Sequence, residues 1–430
     1  MCRISGDIGL MMRIADMPAI RESSAVPSTG TGRAAAKGYW QLVAAGEPFR
    51  LLFPLGAAVG IFGVMMWPFY IWNMTGVYPG PQHARIMIEG FLACFVGGFL
   101  GTALPRLLGV PRVTIYETLG FGSALVFTTW LHYSGRTLWG DLVFFCTFLA
   151  FVFVLGVRAL FRGDTPPPAF VLVGMGLASA LTGSFGLAVS QVAPGLMPLW
   201  AVPFAKLLLY QGFLLLPIMG IGAFLLPRFF GLPNRQSFPE SPTLPPGWKA
   251  RAAFAAMCGV AVVASFAIEA AGFQRWGCGL RAGALLLYFF REVPVHRAGF
   301  GGGSLALGLR IALASIPVGF ILAAIMPGHM LTLLHIVFIT GFSLLTFIVA
   351  TRVVLGHSGQ SDKFRASLWS VLLMSALITL AMLTRVTADW MPKVQMTHYA
   401  YAAIAWATGV IVWGAFILTG IAKGDEERSS

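Results

Sequence analysis

Charge is scarce in this sequence. Only 10% of the 430 residues are Asp, Glu, Lys or Arg, against about 25% in an ordinary soluble domain. Hydrophobic residues make up 57%, and the mean hydropathy is +0.80. No soluble fold hides that much apolar surface. Acidic residues are scarcer than basic ones, 16 against 29, which gives a net charge of +13. The basic residues are spread thinly between apolar runs, a pattern that suits loops facing an anionic membrane leaflet and excludes a nucleic-acid groove. There are five cysteines, Cys2, Cys94, Cys146, Cys258 and Cys278, with no CxxC pair, and four lie in apolar stretches. A disulfide framework and structural zinc are thereby excluded.

Catalytic signatures are also missing. The chain has no GxxxxGK[ST] loop, no HExxH and no GxSxG, and the Gly-rich run 299–304 lacks a phosphate-binding Lys. Without CxxCH, any haem must be bound non-covalently.

What is present is a series of apolar runs, each near the roughly 20 residues that cross a bilayer. They fall at 50–73, 84–108, 113–133, 138–160, 168–190, 202–230, 250–271, 278–293, 301–324, 330–354, 365–388 and 396–422, the eighth being short. The expected fold is therefore all-α, a polytopic membrane protein of about twelve transmembrane helices. Proline clusters at Pro79 and Pro81, at 166–168 and at Pro239, Pro242, Pro245 and Pro246 mark several of the breaks. Residues 1–46 read as a disordered cytoplasmic tail, because Arg3, Arg13, Arg21, Arg33 and Lys37 stand there without a signal-peptide core. Met11, Met12 and Met17 are alternative starts. Residues 47–422 form the membrane domain and 423–430 a cytoplasmic C-terminal tail.

Alternate loops differ in charge. One set holds Arg106, Arg112, Arg158, Arg162, Arg228, Arg235, Lys249, Arg251, Arg291, Arg297, Arg352, Lys363 and Arg365; the other holds Arg85, Arg136, Arg275, Arg281, Arg385 and Lys393. The positive-inside rule makes the first set cytoplasmic and places both termini with it, in an inner membrane.

The chain also repeats itself. Gly90-Phe91-Leu92, Gly98, Leu104-Pro105-Arg106 and Gly109 recur 122 residues later as Gly212-Phe213-Leu214, Gly220, Leu226-Pro227-Arg228 and Gly231. A weaker third copy ends at Thr351-Arg352 and Leu355-Gly356. Three parallel four-helix repeats are the expectation, although Gly-rich helices ending in Pro-Arg also arise simply from close packing and snorkelling.

Five of the seven histidines fall toward the outer face: His83, His132, His329, His335 and His398. An intramembrane imidazole is costly and binds haem iron and copper well, while an interfacial one often only bonds water or headgroups. Stepping 17 residues back from Arg106, Arg228 and Arg352 reaches Glu89, Gln211 and His335, one polar residue at the same depth in each unit. Such a ring would hold a metal, a proton path or a substrate, or would simply bond between helices. His329 and His335 point about 120° apart on a helix, and His335 and His357 stand about 33 Å apart, so neither pair is expected to share a metal.

These residues resemble the NnrS family, haem- and copper-containing membrane proteins linked to the nitric oxide response. The resemblance rests on His335, Thr351-Arg352, Leu355-Gly356-His357 and Ser358-Gly359, on Pro48-Phe49-Arg50 with Phe53, and on His83-Ala84 followed by Gly90-Phe91, Gly98-Phe99-Leu100, Thr102-Ala103 and Pro105. The chain departs from the family at Arg85-Ile86, where His-Glu is common, at Ile221-Gly222-Ala223, and at Gln360. It looks like a divergent member. The resemblance implies non-covalent haem, with copper as a second metal, and protection against nitrosative stress. His83 and His335 are the expected metal ligands; His329, His132 and His398 are further cofactor candidates, and Arg352 with His357 forms a cytoplasmic end motif. Expected partners are membrane lipid and nitric oxide or another small ligand. The rival reading is a secondary transporter or channel for a small solute, with Glu89, Gln211 and Arg85 along its path.

Overall fold

A computed structural model of the protein describes residues 38–238, 241 and 243–424. Most of the expected N-terminal tail therefore lies outside the described residues, as does most of the C-terminal one; Tyr39–Ala44 form a short helix. Among the described residues the chain is helical, with no strand. Twelve long helices follow one another: α1 Phe49–Ile71, α2 Gly80–Leu107, α3 Ile115–Tyr133, α4 Thr137–Leu160, α5 Pro168–Val192, α6 Ala201–Phe230, α7 Trp248–Ala270, α8 Gln274–Glu292, α9 Gly303–Ile325, α10 Pro327–His357, α11 Trp369–Trp390 and α12 Pro392–Ala422.

Ten of these are long and apolar enough to cross a membrane, while α3 and α8 fall short in apolarity. Their polar content explains this. α3 carries Glu117, Thr118, Thr128, Thr129 and His132, and α8 carries Arg275, Arg281, Arg291 and Glu292. Each is 19 residues long and lies against its apolar neighbours in sequence. α3 starts on a capping box: the Glu117 amide donates to Thr114 Oγ1 at 3.2 Å and the Thr114 amide to Glu117 Oε2 at 2.7 Å, satisfying donors that a helix start leaves orphaned.

Consecutive helices pack side by side, and α12 closes the circuit against α1. Three helices stand inside it. The most apolar windows of α2, α6 and α10 are 78%, 67% and 72% buried, against 17–61% for the other seven spans. These are the second helices of the three expected four-helix units. Side chains from α2, α6 and α10, with Phe53 of α1, line a cavity of about 80 Å³, and Phe91 and Phe95 meet Phe347 at 5.6 and 5.5 Å between ring centres. The centre is apolar there. The outer helices instead expose large apolar side chains such as Phe153, Leu160, Leu287 and Phe290, the surface expected against lipid.

Each inner helix contains a π-helical stretch: Ile86–Leu92 in α2, Leu208–Gly212 in α6 and Ile336–Leu344 in α10. A π turn adds a residue to the helical circuit and turns the side chains around it to a new direction, which is why such turns gather at functional sites. Glu89 and Gln211 lie within two of these stretches, and His335 immediately precedes the third.

Candidate functional site

The tight turn between α3 and α4 holds Gly135 at φ +75°, in the left-handed region that favours glycine. It sets the last turn of α3 beside the first turn of α4. His132 and Asp141 come together there, and the His132 ring lies over Gly140, where a Cβ would be only 2.3 Å from Cε1. The π turn of α2 brings Glu89 to the same place, with a 2.9 Å hydrogen bond between His132 Nε2 and Glu89 Oε2. Arg85 grips Asp141 with both arms, Nε to Oδ1 at 2.9 Å and Nη2 to Oδ2 at 3.1 Å, and Gln191 Nε2 donates to Oδ2 at 2.8 Å. Glu89, His132 and Asp141 are all 0% exposed. Their ligating atoms lie within 4.8 Å of one another, and Glu89 Oε1 and His132 Nδ1 are buried without a partner. Buried polar atoms are nearly always satisfied, so two orphans in one cluster call for an explanation.

Gln211 of α6 faces a different cluster. Arg281 Nη1 donates to Gln211 Oε1 and Nη2 to Glu269 Oε2, both at 2.6 Å, while Nε donates to Ser265 Oγ at 3.0 Å. The guanidinium also lies 4.5 Å from the Phe266 ring centre and 4.9 Å from that of Phe320. Arg281 had been counted among the loop charges; it is fully buried in α8.

His335 belongs to a third place, where His83 joins it. His83 Nδ1 bonds the Gly63 carbonyl and His335 Nδ1 the Leu331 carbonyl, each at 2.9 Å. Held this way, each ring donates from Nδ1 and leaves the Nε2 lone pair open. The two imidazoles lie within electrostatic reach of each other and of Arg385. Arg385 stacks 4.0 Å from the Tyr399 ring centre, and its Nη1 is buried without a partner. Trp67 borders the site, 6.0 Å from His83 and 5.1 Å from Tyr399 between ring centres. His329 is nearby: its Nδ1 pairs with Asp389, which acts on Arg385, and its ring stacks on Trp390 at 4.8 Å. His398 Nδ1 bonds its own helix at the Val394 carbonyl, 3.0 Å away.

The expected ring of Glu89, Gln211 and His335 thus stands on the three inner helices, but no hydrogen bond joins its members among the described residues. Glu89 bonds instead to His132 of α3, and Gln211 to Arg281 of α8.

The opposite end of the bundle carries another cluster. Arg50, at the start of α1, donates through Nε to Glu47 Oε2 at 2.5 Å, through Nη1 to the carbonyls of Ile421 and of Lys423, the latter at 2.8 Å, and through Nη2 to the His357 carbonyl at 3.0 Å. Glu47 Oε1 accepts from Arg106 Nη2 at 2.5 Å and bonds His357 Nδ1 at 3.0 Å. Burial alone would raise this carboxyl, but the His357 bond, the charges of His357 and Arg50, and the Arg106 bond outweigh it and hold Glu47 down at about 2. One latch therefore ties the starts of α1 and the ends of α2, α10 and α12. The expected end motif divides here: His357 joins the latch, whereas Arg352 stacks between Phe229 and Phe364, 4.6 and 4.2 Å from their ring centres.

Sequence reasoning passed over Asp141, Glu269, Glu47 and the site roles of Arg281 and Arg385. For all but Glu47 the available signal was charge inside an apolar run, which marks a site by default.

No curated protein matches the chain. The profile of one family, described as NnrS protein, matches residues 44–421, nearly the whole chain, including the latch, the Glu89–His132 cluster and the His83–His335 corner. The chain belongs to the NnrS family.

Proposed function

We propose that this protein binds haem non-covalently at the corner formed by His83 and His335, with copper as a second metal, and protects cells against nitric oxide stress from the inner membrane. Family membership supports the link to nitric oxide. The observation that carries the cofactor reading is how the two histidines are held: each uses Nδ1 on a backbone carbonyl, which leaves Nε2 for a metal. The residues fit the group. An iron porphyrin takes imidazole nitrogen as an axial ligand, and the unpartnered Nη1 of Arg385 suits a propionate. Haem iron bound there would supply a binding site for nitric oxide. His83 and His335 would hold it, and His329, through Asp389, would help fix Arg385.

Both termini are assigned to the cytoplasm on loop charge. Arg85, Arg281 and Arg385 lie within helices at buried sites, so the less basic set of loops is poorer still than a count along the chain indicates. The transporter or channel reading draws no support from the bundle centre, where α2, α6 and α10 meet through aromatic and aliphatic side chains.

The test is purification after expression with ample haem, paired with growth under a nitric oxide donor. A Soret band and improved survival are expected. A protein without a Soret band removes the cofactor reading, and a haem-loaded protein that gives no survival advantage removes the protective role.

A further inference from the structure

The turn joining α3 to α4 has a counterpart between α7 and α8. Gly135, Trp139 and Gly140 are matched 137 residues later by Gly272, Trp276 and Gly277. Gly135 and Gly272 both have positive φ, +75° and +97°. Gly140 and Gly277 both have close neighbours, the first facing the His132 ring and the second Glu269, whose Cβ would lie 2.8 Å from an added methyl. At the same step His132 corresponds to Glu269, Asp141 to Cys278 and Phe144 to Arg281, while Glu89 corresponds to Gln211 through the 122-residue repeat.

In the second unit these positions surround a cation. The Arg281 guanidinium bridges Gln211 and Glu269 at 2.6 Å each, with Cys278 Sγ 3.8 Å from Glu269 Oε2. In the first unit the corresponding position is Phe144, which brings no charge. Glu89, His132 and Asp141 nevertheless converge there, and Glu89 Oε1 and His132 Nδ1 have no partner. Arg85 offsets Asp141 from one side. Glu89 hydrogen-bonds only the His132 imidazole, with Arg85 acting on it through space.

We propose that a divalent first-row transition-metal ion binds among Glu89, His132 and Asp141, in the place that the Arg281 guanidinium takes in the second unit. Two carboxylates and one imidazole form a borderline donor set that suits Cu²⁺, Zn²⁺ or Fe²⁺ better than Ca²⁺ or Mg²⁺. An ion about 2.1 Å from each donor holds the donors about 3–4 Å apart, so atoms already within 4.8 Å need only a small closure. Asp141 can accept from Arg85 and Gln191 and still offer a lone pair, and those two bonds orient it as outer hydrogen bonds orient metal-ligating carboxylates. The site shares no residue with the His83–His335 corner, so it holds whether or not that corner takes haem.

The experiment uses full-length protein, washed with chelator and then titrated with Zn²⁺ and with Cu²⁺. Bound metal is read by elemental analysis, thermal unfolding with and without the ion, and Cu²⁺ electron paramagnetic resonance. The wild type should bind one equivalent beyond haem iron and unfold at higher temperature with it. The near-isosteric Glu89→Gln and His132→Gln should each weaken binding at least about tenfold, and the Cu²⁺ spectrum should lose its imidazole nitrogen coupling in His132→Gln. A protein with both His83→Ala and His335→Ala should still bind this ion. A wild type that binds no ion, or an ion whose affinity and spectrum are unchanged in both single variants, would overturn the assignment.

Discussion

His132 and Gly140 share one volume: an added methyl at Gly140 would lie 2.3 Å from His132 Cε1 and 2.5 Å from Nδ1. The imidazole reaches Glu89 only because α4 has no side chain at that point. Gly140→Ala should therefore push the ring off its 2.9 Å bond to Glu89 and cost about 1–3 kcal/mol, the usual effect of overpacking a filled interior. Gly120→Ala is the control. It lies in the same pair of helices with open space around it, so alanine there should be neutral or stabilise by about 0.5–1 kcal/mol. Thermal unfolding of both variants in detergent checks the contrast, and equal melting temperatures would argue against the packing described.

The second unit gives a sharper test of buried charge. Replacing Arg281 by Met strands Glu269 and Gln211 in the interior, which should cost about 3–5 kcal/mol. Arg281→Lys should fail to rescue it, since a single ammonium cannot match two 2.6 Å bonds and a third to Ser265. The double variant Arg281→Met with Glu269→Gln should be more stable than Arg281→Met alone. A double-mutant cycle of melting temperatures reads the coupling, and strictly additive losses would contradict it.

The latch at the other end should be sensitive to acid. Glu47 is held at about 2 in the folded protein, below its ordinary 4.5. A depressed carboxylate stabilises the fold fully above its unfolded value, and that stabilisation is lost as pH falls from about 4.5 toward 2. Wild type should therefore melt above Glu47→Gln at pH 7, and the gap should shrink steadily below pH 5. A gap independent of pH would show that the carboxylate charge does not hold the latch.

Much of the fold was legible because a bilayer sets the length of each helix. The apolar runs at 50–73 and 138–160, for example, anticipated α1 and α4 closely. The eighth run, 278–293, missed the first turn of α8, which begins at Gln274 and carries Arg275, and Arg281 within that run is buried by partners from α6 and α7. The closure of α12 on α1 and the central place of α2, α6 and α10 depend on contacts between distant segments, which hydropathy along the chain does not encode. Glu89, Gln211 and His335 could be picked out as polar residues 17 positions before Arg106, Arg228 and Arg352. Their directions could not, because the π turns break the 3.6-residue period on which such reasoning rests. The latch had a sequence signal, since Pro48-Phe49-Arg50 and His357 both belong to the resemblance, but only the fold shows that Arg50 bonds the carbonyl of His357.

Arg385 provides a separate check on the His83–His335 corner. If its unpartnered Nη1 serves a propionate, Arg385→Ala should weaken haem retention through dialysis while leaving the position of the Soret band unchanged, because the charge anchors the rim and not the iron. A shifted band would mean that Arg385 acts on the iron ligands themselves.

The proposed ligation of haem iron by His83 and His335 is open to test in the optical spectrum of the purified double variant His83→Ala with His335→Ala. A Soret band is expected in wild type, reduced and shifted in each single variant and absent from the folded double variant. An unaltered band in the double variant would contradict it.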